Sequence, residues 1–335
     1  MRALLSNAAG GPETLVISDA PEPAAGPGQV IVGVKACAIN YPDVLVIEDK
    51  YQFKPPRPFA PGGEIAGVVE SVGEGEARWK PGDRVVAVPG YNGLADRIAI
   101  DGGSLFRLPE ERSFVEGAAL LITYGTVIHA LVDRAAIRAN ETLLVLGAAG
   151  GVGLAAIKLG KAFGARVVAA VSSEEKAAAA RSAGADETVI YPSGKLDRDQ
   201  SKELGSAFKA VLGKSGADVV FDPVGGDYAE PALRALAWGG RYLVVGFVAG
   251  IPSIPLNLAL LKSADIRGVI WGAWAAANPN ENANHVERLF DLWKAGKISP
   301  KVTQTFAFDS AHEAIAKLGG RTAIGKLVVD LDAAG

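Results

Sequence analysis

Seven residues, Gly147-Ala148-Ala149-Gly150-Gly151-Val152-Gly153, carry the clearest chemistry in this chain. Backbone N–H groups at the start of a helix point at an anion placed before them, and glycine lets a phosphate approach without meeting a Cβ. Two flanking elements must hold such a cradle. Before it, Thr142-Leu143-Leu144-Val145-Leu146 reads as a buried parallel strand, continuous in aliphatics and ended by glycine. After it, Leu154 to Phe163 has helical spacing, with Gly164 as its stop. A glycine cluster alone is equally a tight turn; strand, turn and helix in succession make it a pyrophosphate site.

The second strand, Arg166 to Val171, bears on which dinucleotide is held. A unit that grips an unphosphorylated adenine ribose places a carboxylate roughly 20 residues beyond the turn. Here the strand runs out into Ser172-Ser173 with no acid at its tip, and Lys176 follows within a turn. Hydroxyls and a cation accept a 2′-phosphate that a carboxylate would repel. Tyr191, ending the next strand, is a further candidate for that pocket. NADPH is the cofactor these residues predict. The alternative for Lys176 is a solvated helix cation, with Glu174 and Glu175 beside it.

The elements around these residues form an α/β chain of about two domains. Its 335 residues carry 34 basic and 37 acidic side chains and no basic block, which speaks against a dedicated nucleic-acid surface. The single cysteine, Cys37, excludes an internal disulfide framework and fits a reducing cytoplasm. No secretory leader is visible after Arg2, and the uncharged run from Thr142 to Ile157 is too glycine-rich for a membrane span. Residues 1 to about 122 are dense in Val, Gly and Pro, with strands near 30–34, 66–70 and 84–88, and read as mainly β. Residues 123–265 alternate strands at 143–146, 166–171, 188–191, 218–221 and 241–245 with Ala-rich helices, the pattern of a doubly wound parallel sheet. Ser310-Ala311-His312-Glu313 reads as a capping box, Lys326-Leu327-Val328-Val329 as a final strand, and Ile266 to Trp271 as the sheet's last strand, with Trp274 as a possible cover.

Several further motifs, in order, resemble the zinc-independent quinone oxidoreductase branch of the medium-chain dehydrogenase/reductase superfamily. They are Ala38-Ile39-Asn40-Tyr41-Pro42-Asp43, Pro61-Gly62-Gly63-Glu64-Ile65-Ala66-Gly67-Val68-Val69, Pro81-Gly82-Asp83-Arg84-Val85, the Ala148-x-Gly150-x-x-Gly153 turn, Asp222-Pro223-Val224-Gly225-Gly226 and Val245-Gly246-Phe247. The resemblance implies a GroES-like, mainly-β catalytic domain from residues 1–122 and 266–335 around a Rossmann domain at 123–265, with 266–290 assignable to either. It also implies a homodimer paired along the sheet edge.

Zinc-dependent relatives place cysteine where Asn40 stands and histidine where Gly63 precedes Glu64, and carry a four-cysteine lobe that one cysteine cannot build. Zinc needs three or four N, S or carboxylate ligands, which Asn40 and Gly63 do not supply. His129, His285 and His312 are spaced like no metal motif, and Cys37 reads as a small apolar group. No metal is expected. Without one, the resemblance implies acceptors that take hydride readily: quinones, or alternatively enones and enoyl-thioesters, or else a non-catalytic, crystallin-like NADPH-binding role. The implied active-site loop carries Asn40, toward the substrate or nicotinamide ribose, Asp43, which orients the loop, and Tyr51, which either donates to a developing oxyanion or anchors the Pro-rich loop. Leu45 stands where many members have a second tyrosine. Thr126, read as opening a helix, and Gly246, Phe247 and Val248 are implied at the nicotinamide end, and Arg321 near the 2′-phosphate.

Overall fold

The computed structural model describes residues 1–333. The chain divides into two compact units, one formed by Met1–Ile122 with the segment from Pro300 onward, the other by Thr123–Ser299.

In the first unit the spine is the eleven-residue strand Gln29–Ile39, whose burial is almost unbroken. It lies in a seven-stranded mixed sheet ordered Val302–Ala307, Lys326–Asp330, Gln29–Ile39, Glu64–Val72, Arg84–Ala87, Leu105–Arg107, with Arg97–Asp101 also on the spine. Arg2–Leu5 and Val16–Asp19 form a separate antiparallel pair. Register shifts between Ile31 and Val32 and between Val34 and Ala36 bend the spine. Gly67 permits the close approach across it, since a Cβ there would lie 2.2 Å from the Gly33 carbonyl oxygen.

Register then assembles what sequence separates. Ala38 pairs with Glu64 and Ile39 with Leu327, so Asn40, Glu64 and Lys326 meet at one end of the sheet. The spine runs directly into the helix Tyr41–Ile47, which carries Asp43. Ser310 does not cap the next helix, Ala311–Gly319: a 3-10 turn, Phe308–Ser310, already precedes it, and the serine side chain makes no capping bond.

The second unit is built on six parallel strands in the order Glu187–Ile190, Arg166–Val171, Thr142–Val145, Ala217–Asp222, Leu236–Val244, Asp265–Gly268. Numbered within this sheet the order is 3-2-1-4-5-6, which reverses between Thr142–Val145 and Ala217–Asp222. Leu143, Leu144 and Val145 are wholly buried, as strands covered on both faces require. The last strand is shorter than its apolar run suggests, because Trp271 begins a helix, Trp271–Ala277. Residues 266–299 pack with this unit, not with the mixed sheet, because Asp265–Gly268 pairs in parallel with Leu236–Val244. Thr126 lies inside the helix Leu121–Ile128 and does not open it. No helix among the described residues is long and apolar enough to cross a membrane.

Candidate functional site

Two clusters of chemistry stand out, one in each unit. In the second unit they gather at the carboxyl ends of the parallel strands, where ligands of such sheets bind. The helix Gly151–Ala162 starts from Gly150 with no side-chain cap, so its leading N–H groups, those of Gly151, Val152 and Gly153, remain donors for an anion. A Cβ on Gly153 would sit 2.4 Å from the Gly147 carbonyl oxygen and 2.7 Å from Ala148 backbone atoms, so only glycine fits. On Gly150 a Cβ would meet nothing nearer than 3.5 Å, which leaves that side of the turn open. Ala148, buried, ties the turn to the second strand by donating from its N–H to the Ala170 carbonyl at 3.1 Å. These features fit a pyrophosphate.

Beyond the second strand, Lys176 Nζ donates to Ser172 Oγ at 3.0 Å, and Ser173 Oγ accepts from the Lys176 N–H at 3.3 Å. Ser173 caps the helix Glu174–Ser182. Two hydroxyls and an ammonium are thus brought together with a helix N-terminus behind them, a donor set that suits a phosphate monoester. Tyr191, the further candidate for that pocket, reaches the glycine turn. It is buried, packed with a tilt of 49° on Tyr228 at a centroid distance of 4.8 Å, and hydrogen-bonded to the Gly147 backbone, so it supports the turn. Gly246, Phe247 and Val248 follow the Leu236–Val244 strand on the same sheet edge. Phe247 is half exposed, and Val248 packs on the core. Asp222 orders this region: Oδ1 accepts from Val224 N at 2.7 Å and Gly225 N at 2.9 Å, and Oδ2 accepts from the Tyr242 hydroxyl.

In the first unit the cluster is made of side chains. Asn40 Nδ2 donates to Glu64 Oε2 at 3.0 Å and to the Ala38 carbonyl at 3.3 Å. Its Oδ1 accepts from Lys326 Nζ at 2.6 Å. Lys326 Nζ also donates to the Ile39 carbonyl and to Glu64 Oε2, both at 3.2 Å. Glu64 Oε1 accepts from Ile122 N at 2.8 Å. Asp43 Oδ2 accepts from Asn40 N at 2.7 Å and Oδ1 from Gly62 N at 3.0 Å, joining two loops. Burial pushes the Asp43 carboxyl up to about 6, against the pull of these N–H donors and of Lys326. Cys37 is fully buried, and the same burial holds its thiol protonated.

Tyr51 is half-buried against the core of this unit, and burial together with Asp43 raises its hydroxyl above the ordinary tyrosine value. Arg321 lies exposed in the turn after Ala311–Gly319, with φ +58°. Two residues escaped the sequence reading as site members. Glu64 was visible only inside a motif, and Lys326 only as the first residue of a strand; a lone cation opening the buried aliphatic run Leu327-Val328-Val329 is the signal that could have found it. The fold also joins two histidines that sequence keeps apart. His129 Nδ1 and His285 Nε2 face Asp133 at 2.7 and 3.4 Å, and each ring stacks on Trp274. No group of three or more metal-binding side chains is formed among the described residues.

Known proteins match both units. Residues 26–106 match the family described as alcohol dehydrogenase GroES-like domain, and residues 151–290 that described as zinc-binding dehydrogenase. The chain is 37% identical over 319 residues to quinone oxidoreductase-like protein 2 of Bos taurus, covering 95% of this chain and 89% of that protein. Among solved structures it is similar to Escherichia coli quinone oxidoreductase complexed with NADPH, at TM-score 0.88 and 28% identity over 98% of this chain and all, 100%, of that one. It is similar too to an NAD-dependent alcohol dehydrogenase, at TM-score 0.87 and 32% identity over 99% and 100%.

Proposed function

Because the chain belongs to the quinone oxidoreductase branch of the medium-chain dehydrogenase/reductase superfamily, and is an oxidoreductase with a nicotinamide coenzyme, we propose that it reduces quinones with NADPH and without a metal. The observation that carries this reading is the donor set beside Glu64: a carboxamide and a buried ammonium, with the one nearby thiol protonated. Such donors do not fit zinc, which binds thiolate, imidazole or carboxylate in tetrahedral array. Glu64 already has both oxygens engaged. Acceptors that need no Lewis acid, quinones first, suit this arrangement.

Bound NADPH supplies the hydride. The Gly150, Gly151, Val152 and Gly153 turn would hold its pyrophosphate; Ser172, Ser173 and Lys176, with Arg321, its 2′-phosphate; Thr126, Gly246, Phe247 and Val248 the nicotinamide end. Asn40 would bind near the nicotinamide ribose. Asp43 holds the loop in place through its backbone bonds. With its hydroxyl raised, Tyr51 stays protonated at neutral pH and can donate to an oxyanion or deliver a proton, but does not act as a base. Tyr51→Phe should therefore lower turnover more than NADPH affinity.

We also propose a dimer joined at the outer edge of Asp265–Gly268, the terminal strand of its sheet. Leu256, Leu260, Leu261 and Ile270 are all exposed near it in sequence, more apolar surface than an isolated edge carries comfortably.

The deciding experiment follows NADPH oxidation at fixed enzyme with quinones, enones and enoyl-thioesters. Fastest turnover with quinones supports the reading. A preference for enones or enoyl-thioesters moves the activity to activated C=C reduction, and no turnover with any acceptor removes the enzymatic reading.

A further inference from the structure

Lysine can only donate and carboxylate can only accept, so the neighbours of Asn40 decide which end of its amide faces which way. Lys326 Nζ, at 2.6 Å, must face Oδ1; Glu64 Oε2, at 3.0 Å, must face Nδ2. Both Nδ2 hydrogens are then spent, on Glu64 and on Ala38. One lone pair of Oδ1 remains, because the Asp43 N–H, which faces this side chain in a capping box, makes no cap bond to it and donates to the Asn40 backbone carbonyl at 3.0 Å. Asn40 is also the least buried of the three, at 7% exposure against 4% for Lys326 and none for Glu64.

We propose that Lys326 is a positioning residue: with Glu64 it locks the Asn40 carboxamide so that the side chain can only accept a hydrogen bond, from a ribose hydroxyl of the coenzyme. The inference rests on the reading that Asn40 lies at the nicotinamide ribose, and sharpens it by excluding Asn40 as a donor to a substrate oxyanion. It leaves donation to a substrate oxyanion to the tyrosine hydroxyls of that loop, of which Tyr51 is the one facing Asp43. Three backbone and side-chain acceptors hold the ammonium, so it has no hydrogen left for substrate, and its action is through Asn40. It is also the cation that faces the buried acids Asp43 and Glu64 and the Cys37 thiol, while Tyr51 faces Asp43 from its own loop.

The test uses the full-length protein and the variants Lys326→Met, Lys326→Arg and Lys326→Met with Glu64→Gln. Each is titrated with NADPH by fluorescence, and each is melted without coenzyme at several pH values. Lys326→Met should bind NADPH about tenfold more weakly, the size of one lost hydrogen bond. Its melting point should fall below the wild-type value by a margin that widens as pH rises, because Asp43 then ionises with no cation beside it. Adding Glu64→Gln should narrow that margin but not recover affinity, since the amide stays unlocked. Lys326→Arg, which keeps the charge, should restore the pH profile and part of the affinity. Wild-type affinity in Lys326→Met overturns the proposal, as does recovery of affinity by Glu64→Gln. If the wild-type protein binds no NADPH, the functional reading fails, while the melting arm still decides whether the lock exists.

Discussion

The two units build their candidate sites by different means. At the carboxyl end of the parallel sheet the chemistry is local in sequence: a glycine turn, helix N–H groups left without a cap, and two serine hydroxyls around Lys176. At the end of the mixed sheet it is side chain, held by contacts that cross 262 to 286 positions between Lys326 and its partners Glu64 and Asn40. The side-chain site is closed, and each member depends on the others.

That contrast is broken most severely by removing one partner of the buried pair. Glu64→Ala removes the carboxylate that faces the Lys326 ammonium in a site with 4% exposure, and should cost about 3–5 kcal/mol of stability, read by urea unfolding. A loss near zero would show the pair solvated. At the backbone site, Gly153→Ala should cost about 1–3 kcal/mol through the clash with Gly147 and abolish NADPH binding, measured by unfolding and titration together. A tolerated alanine would mean the turn is looser than its geometry.

Lys176→Ala should leave stability alone and weaken NADPH by about 1–3 kcal/mol while barely changing NADH. Equal loss for both would move the phosphate pocket elsewhere. The smallest effect concerns pH. Because Asp43 titrates near 6 in the folded chain against an ordinary 3.8, the folded state binds its proton more tightly than the unfolded chain does. Its contribution to stability therefore falls as pH rises from about 4 to about 6 and is constant above. Asp43→Asn should flatten the stability slope in that window relative to wild type; an unchanged slope would assign the titration to another group.

How far the sequence could be read follows the same division. The strand Thr142–Val145, the glycine turn and Gly151–Ala162 are local, so spacing and glycine chemistry were enough to place them. Ser172, Ser173 and Lys176 lie within five positions and were equally legible. Asn40 and Asp43 stood out through the resemblance, whereas the network that fixes them did not, because strand register joins Ile39 to Leu327 and no local pattern encodes that pairing. Tyr191 shows how far a strand end can be read. Its position at a strand end was read correctly, but burial against Tyr228 turns its ring inward toward Gly147. Ser310 misled through geometry, since a cap must sit outside the helical turn that the serine already closes.

The account stands most directly on one comparison: kcat/KM of the wild-type protein for NADPH and for NADH with a single quinone acceptor, in buffer treated with a chelator. It predicts chelator-resistant quinone reduction with NADPH favoured by about tenfold or more, as a phosphate bound by a cation and two hydroxyls requires. Equal or better use of NADH, or activity lost to the chelator, would contradict it.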